Sequence, residues 1–243
     1  MTTYVLVHGG WHGGWCWDPV ADQLRAKGHQ VFAPSLTGLA ERRHLIDLVT
    51  GPDIHVQDIV ELIRWHKLTD IVLVGHSYGG LIITGVAAVL ADKIAHLVYL
   101  DAFVPQQSGQ SAVAMSNPER ASEIAEAVKN NKHIEPSGFK RWVADPAQQA
   151  WLKTMTTPQP LGCFGRGVSR VVDVASLDLL RTYIWCRHHD PSPFVQFYER
   201  FRQDPHWQCL AMDCLHDAML EQPNELTGIL LEQCRPGPGR PCK

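Results

Sequence analysis

The apolar run Ile71-Val72-Leu73-Val74 passes directly into Gly75-His76-Ser77-Tyr78-Gly79, and a helical pattern follows from Leu81 to Leu90. A strand that becomes a helix within so short a stretch strains the backbone of its middle residue and brings neighbouring chain close on both sides. Only small residues fit beside such a turn, and the glycines supply them. The junction restricts the chain to folds in which a buried strand ends at the amino terminus of a helix, with a serine at the apex.

The rest of the chain supports that restriction. Short apolar or β-branched runs at Tyr4 to Val7, Gln30 to Ala33, Ile71 to Val74 and Leu97 to Leu100 alternate with helical patterns at Trp17 to Lys27 and Ile54 to His66. This alternation predicts an α/β fold, a mostly parallel sheet of about six strands with helices on both faces. After Asp101 it breaks: a stretch of roughly 103–180 carries helical segments with Pro and Gly punctuation and no strand, and is expected to form a helical cap insertion. Strands return at Thr182 to Cys186 and Gln208 to Met212, followed by helices at Phe194 to Arg202 and Glu221 to Glu232. A length of 243 residues, 45% of them hydrophobic, fits one domain over residues 1–243. The Pro- and Gly-rich tail at 235–243 is expected to be disordered.

Net charge is −3, so no basic face marks the chain for nucleic acid or an anionic membrane. No apolar stretch is long enough to span a bilayer, and residues 1–8 read into a strand without a signal-peptide pattern, so a cytoplasmic location is expected. The seven cysteines show no C-x-x-C pair and no zinc-ligand spacing, and read as buried or incidental thiols. A small molecule is the expected partner; a homodimer is left open.

A serine hydroxyl attacks a carbonyl only if a base takes its proton, and that base needs a carboxylate to orient it. Ser77 is therefore the candidate nucleophile and His216, in the loop after Gln208 to Met212, the candidate base. The acid is expected to follow the preceding strand, which makes Asp190 the first choice ahead of Asp101, Asp213 and Asp217. The oxyanion that forms needs two N–H donors: Tyr78 after the serine, and Gly10, or Trp11 beside it, in His8-Gly9-Gly10-Trp11. Neither dinucleotide nor P-loop spacing fits those glycines. His188, His189 and Asp190 lack a metal-site pattern, so neither metal nor cofactor is expected.

These residues resemble the methylesterase and hydroxynitrile-lyase branch of the α/β hydrolases, which includes plant methyl-salicylate esterases and bacterial pyrethroid-hydrolysing carboxylesterases. The resemblance covers nearly the whole chain. It rests on Tyr4 to Trp15, on Val74 to Gly80, on Leu100-Asp101-Ala102-Phe103-Val104-Pro105, and on Asp190 and His216. It implies the same site residues: Ser77, His216, Asp190, Gly10 and Tyr78. It also implies an α/β-hydrolase fold with a cap, and a reaction without metal or organic cofactor. The lyases carry a threonine and a lysine where this chain has Gly9 and Asp217, so hydrolysis of a small-molecule ester is expected ahead of lyase chemistry. Ligand reception with little turnover, and lactone cleavage, also rank behind ester hydrolysis. Trp11, Phe103, Trp142 and Trp151 are expected to line a pocket for bulky or aromatic esters.

Overall fold

The computed structural model describes residues 1–116, 118–130 and 133–232. The tail expected to be disordered lies outside them. Six strands form one sheet: β1 (Thr3–Val7), β2 (Gln30–Phe32), β3 (Ile71–His76), β4 (Ile94–Leu100), β5 (Leu180–Cys186) and β6 (Gln208–Met212). Their order is β2-β1-β3-β4-β5-β6, and every pair is parallel. The expected α/β architecture is borne out.

Parallel strands need crossovers, and helices α1 (Asp18–Ala26), α2 (Pro52–Trp65) and α3 (Gly79–Leu90) supply the first three. Helices α1 and α2 each have proline in the first turn, where its missing N–H costs nothing, and each buries one apolar stripe. Val20, Ala21 and Leu24 do this on α1; Val56, Ile59, Val60 and Ile63 do it on α2. Helix α3 is apolar nearly all round and is covered on all sides, as is β3.

Between β4 and β5 lie the short helices α4 (Ala112–Met115), α5 (Pro118–Lys129), α6 (Phe139–Trp142), α7 (Pro146–Met155) and α8 (Gly162–Gly165). Helices α9 (Val195–Phe201), α10 (Ala218–Glu221) and α11 (Pro223–Glu232) complete the described chain. Several elements differ from expectation by two or three residues at an end: β4 begins at Ile94 rather than Leu97, and β3 continues to His76. A 3₁₀ segment at Ala40–Leu48, with no buried residue, leaves no signal in the sequence because it presents no apolar stripe.

The strand order decides where chemistry can sit. The chain leaves β1 for β2 on one side and then crosses to β3 on the other, so the loops after β1 and β3 diverge at a switch point and leave a crevice at the carboxyl ends of the strands. The loops after β1, β3, β4, β5 and β6 open side by side along that edge.

Close backbone approach holds the crevice together. A Cβ added to Gly80 would lie 2.2 Å from the carbonyl oxygen of Phe103, which is backbone and cannot swing aside. The Gly80→Ala substitution is therefore expected to destabilise the protein by about 2 kcal/mol, read from urea unfolding, whereas an unchanged midpoint would mean that α3 can shift away from β4.

Candidate active site

Ser77 sits at φ 55°, in the left-handed region that a side-chain-bearing residue seldom enters. Its N–H donates to Leu100 O (3.1 Å), and its carbonyl accepts from Gly80 N and Phe103 N (both 3.1 Å). The turn is thus pinned to β4 and to the chain just beyond it. Gly79 allows α3 to start against β1, since a Cβ there would stand 2.7 Å from Val7 O. Ser77 is 9% exposed and lines a pocket with Trp11, Phe103, Trp142, Phe164, Phe194 and His216.

The loop after β1 is aimed by histidine tautomers. Leu36 N donates to His8 Nε2 (3.0 Å), so that nitrogen carries no proton and Nδ1 does. Nδ1 then donates to Gly9 O (2.8 Å). Because C=O and N–H of one trans peptide point opposite ways, holding Gly9 O turns the Gly10 N–H to the other side. Burial pushes His8 down to about 3, so this neutral tautomer persists at physiological pH. Trp11 N is already committed to Gln159 Oε1 (2.8 Å), so of the two N–H groups Gly10, not Trp11, remains the candidate to act beside Tyr78. A Cβ on Gly9 would come within 2.9 Å of Ser77 Cβ, so the loop lies directly against the serine.

His12 and Asp217 fix the same loop from its other side. His12 Nδ1 donates to Gly10 O (2.7 Å) and Nε2 donates to Asp217 Oδ2 (3.0 Å), which requires both ring protons. Burial opposes charge on either group, but their mutual attraction outweighs it: His12 is raised above 6.5 and Asp217 is held well below the carboxylate range. His55 positions Tyr78, with Nε2 donating to Thr37 O (2.8 Å) and Nδ1 accepting from the Tyr78 hydroxyl (2.9 Å).

His216 follows β6, with Phe194 stacked on its ring at 5.2 Å and 9°. Its Nδ1 donates to Asp101 Oδ2 at 2.6 Å. The acid partner is therefore Asp101, at the end of β4, and not the expected Asp190. The reason is the turn after β5: His189 N bonds back to Cys186 O (3.3 Å), which directs His189 inward and leaves Asp190 exposed. Asp101 is fully buried at φ 41°, and its Oδ1 also accepts from Cys186 N (3.4 Å). Burial alone would raise its carboxyl; the hydrogen bonds from His189 and His216 more than offset that and hold it below the usual range. Burial, then the neighbouring His189 charge, lowers His216 below 6.5 against the pull of Asp101.

No hydrogen bond joins Ser77 Oγ to His216 among the described residues, though both face the pocket. Such bonds commonly tighten only when substrate binds. Trp11, Phe103 and Trp142 line the pocket beside Ser77, and Trp151 does not. Helix α7 turns Leu152 inward, so Trp151 is 41% exposed and meets Trp15 edge-on. Asp101–His189–His216 and His76–His216–Asp217 each bring three ligand-type atoms within 4.8 Å of one another, but His216 Nδ1 and Asp101 Oδ2 are already joined to each other.

Residues 4–227 match the model of the Alpha/beta hydrolase family, and the chain belongs to that family. Among its relatives is the "Carbendazim hydrolyzing esterase" of Nocardioides sp. (strain SG-4G), 38% identical over 238 residues, covering 93% of this chain and 97% of that one. Methylesterase 1 of Arabidopsis thaliana is 38% identical over 105 residues, 42% of this chain and 40% of the relative. An extracellular alpha/beta-hydrolase from a Paenibacillus species shares the fold, with a TM-score of 0.83 at 22% identity over 97% of this chain and 100% of that one. A pyrethroid hydrolase from Sphingobium faniae JZ-2 does so at a TM-score of 0.69 and 20% identity, over 95% and 96%.

This geometry has two measurable consequences. Asp101→Asn is expected to lower kcat by about 10²–10⁴-fold and Asp190→Asn to change it by no more than about 2-fold, as measured by steady-state ester hydrolysis; the reverse pattern would restore Asp190 as the acid. His8 and the buried His55, pushed down to about 4, stay neutral in the fold but charge in the unfolded chain. Their contribution is complete above 6.5 and lost as pH falls toward those folded values, at about 1.4 kcal/mol per pH unit for each histidine. The urea midpoint should therefore drop between about pH 7 and about pH 5, and a flat profile would mean both histidines are protonated in the fold.

Proposed function

We propose that this chain is a serine carboxylesterase acting on esters of bulky or aromatic small molecules. The observation that supports the reading best is the alignment, along one edge of the sheet, of Ser77, His216 and Asp101 with the N–H groups of Gly10 and Tyr78. The 38% identity to a carbendazim-hydrolysing esterase over nearly the full length of both chains supports the ester as substrate class.

In the proposed cycle, Ser77 Oγ attacks the ester carbonyl as His216 Nε2 accepts its proton, and the carbonyl oxygen takes up negative charge. Gly10 N–H and Tyr78 N–H, fixed before substrate arrives, receive that charge without reorganising. His216 then protonates the departing alkoxide, leaving an acyl-enzyme on Ser77. Water, losing its proton to His216, attacks the acyl carbonyl, and Ser77 recovers its proton as the acid departs. Asp101 stays ionised throughout and stabilises the imidazolium that forms twice per turnover.

The walls supplied by Trp11, Phe103, Ile124, Trp142, Phe164 and Phe194 suit an aromatic or branched group. Where lyases of the family carry a lysine, Asp217 is buried and anionic, which disfavours a departing cyanide beside His216.

The test is hydrolysis of p-nitrophenyl esters of rising chain length, one bulky aromatic methyl ester and carbendazim. The wild type should turn over the aromatic esters, and Ser77→Ala should lose at least about 10⁴-fold in kcat/KM. Equal activity in both would remove Ser77 from the mechanism; turnover of short acetate esters alone would overturn the substrate class. Because His216 is lowered, the acid limb of kcat/KM should fall below 6.5.

A further inference from the structure

His189 has no part in the cycle above, yet it occupies the centre of the site. Its Nδ1 stands 2.8 Å from Asp101 Oδ2, the same oxygen that His216 Nδ1 meets at 2.6 Å. The two imidazole rings lie 4.3 Å apart at 31°. One carboxylate oxygen thus receives two histidine donors side by side, from the loops after β5 and β6.

This arrangement is built in. His189 is 8% exposed, its N–H is tied to Cys186 O, and its ring packs against Phe194 at 5.7 Å, the same phenylalanine that stacks on His216. A merely structural histidine could satisfy itself on any carbonyl, whereas this one takes half of the acid's hydrogen-bonding capacity on Oδ2 and also lines the pocket.

We propose that His189 is a positioning residue that divides Asp101 with His216 and sets how readily His216 takes a proton. The inference rests on the esterase reading of the site for its kinetic test, but its structural claim stands apart from turnover.

Two effects act in the same direction. A neutral His189 donates Nδ1–H to Asp101 Oδ2, which draws off part of the negative charge that would otherwise hold a proton on His216 and keeps the carboxylate in one orientation. A protonated His189 places a second cation on the same carboxylate, and two imidazolium ions so close repel each other in a buried site. Either way the hold of Asp101 on a His216 proton is weaker than if His216 had the carboxylate alone, so the base form survives to lower pH.

The other groups around His216 do not duplicate this. Asp217, from the same loop, is paired with His12; His76 on β3 donates Nε2–H to the His216 carbonyl (3.0 Å); and Cys186 at the end of β5 gives its thiol proton to that same carbonyl (3.7 Å). Arg141, whose carbonyl accepts the His216 N–H, contributes a cation to the pocket lining. Around His189 itself, the polar contacts among the described residues are with Asp101, His216 and the Cys186 backbone.

The experiment compares wild type with His189→Asn, which keeps a donor near the position of Nδ1 but cannot charge, and His189→Leu, which removes the donor. In His189→Leu the acid-limb midpoint of kcat/KM should rise by at least about half a pH unit, a roughly threefold loss of activity on that limb, and in His189→Asn, which still donates to Asp101, it should stay nearer the wild-type value. The plateau should stay within about threefold for Asn and fall by about tenfold or more for Leu. Proton NMR of the unliganded enzyme reads the donors directly: one of the downfield imidazole N–H resonances of the wild type disappears in His189→Asn. Near-UV circular dichroism matching wild type identifies variants that have folded. A folded His189→Leu with an unmoved acid limb, or a folded His189→Asn with an unchanged downfield spectrum, overturns the proposal. An enzyme without esterase activity that still loses one resonance in His189→Asn supports this inference and sinks the esterase reading.

Discussion

A serine backbone at φ 55° is unfavourable in isolation, and the whole site depends on what holds it there. The Ser77 carbonyl is gripped by two N–H groups, one from α3 and one from the chain after β4, while its own N–H is tied to Leu100. Those bonds form only if β1, β3, β4 and α3 approach more closely than any side chain allows, which is why Gly79 and Gly80 meet carbonyl oxygens on both sides. Packing energy from the fully buried β3 and the nearly all-apolar α3 sustains the strain, and the strain in turn projects Ser77 into the crevice.

Around that fixed point the site is a set of buried proton assignments. His8 is kept neutral and turns one peptide; His12 is kept charged and, with Asp217, holds the next; Asp101 is kept ionised by two histidines. Each depends on hydrogen-bond partners that leave a single consistent tautomer or charge state. The pocket thus meets a substrate with its donors already aligned, the condition under which a developing oxyanion is stabilised most.

Much of this was legible in the sequence. Strand runs and helical stripes predicted the parallel sheet, and the glycine pattern around Ser77 located the turn, because both are consequences of local sterics. The acid was harder. Asp101 and Asp190 both follow strands, and only the direction of the turn Cys186–His189 decides which residue looks inward; nothing in Arg187-His188-His189-Asp190 encodes that direction visibly. Trp142 and Trp151 are likewise indistinguishable by composition, yet one lines the pocket and the other faces solvent, since helix orientation follows from tertiary packing. The His12–Asp217 pair spans 205 residues and left no local trace beyond the adjacency of Asp217 to His216.

Everything proposed for turnover requires that an acyl group pass through Ser77. The most direct measurement is a rapid acid quench of wild-type protein during turnover of a bulky aromatic p-nitrophenyl ester, followed by proteolysis and mass spectrometry of the peptide containing Gly75 to Gly80. The acyl mass is predicted on Ser77, appearing within the first turnover and disappearing as substrate is exhausted. Turnover at full rate with no acyl mass on that peptide, or with the adduct on another residue, would contradict the mechanism.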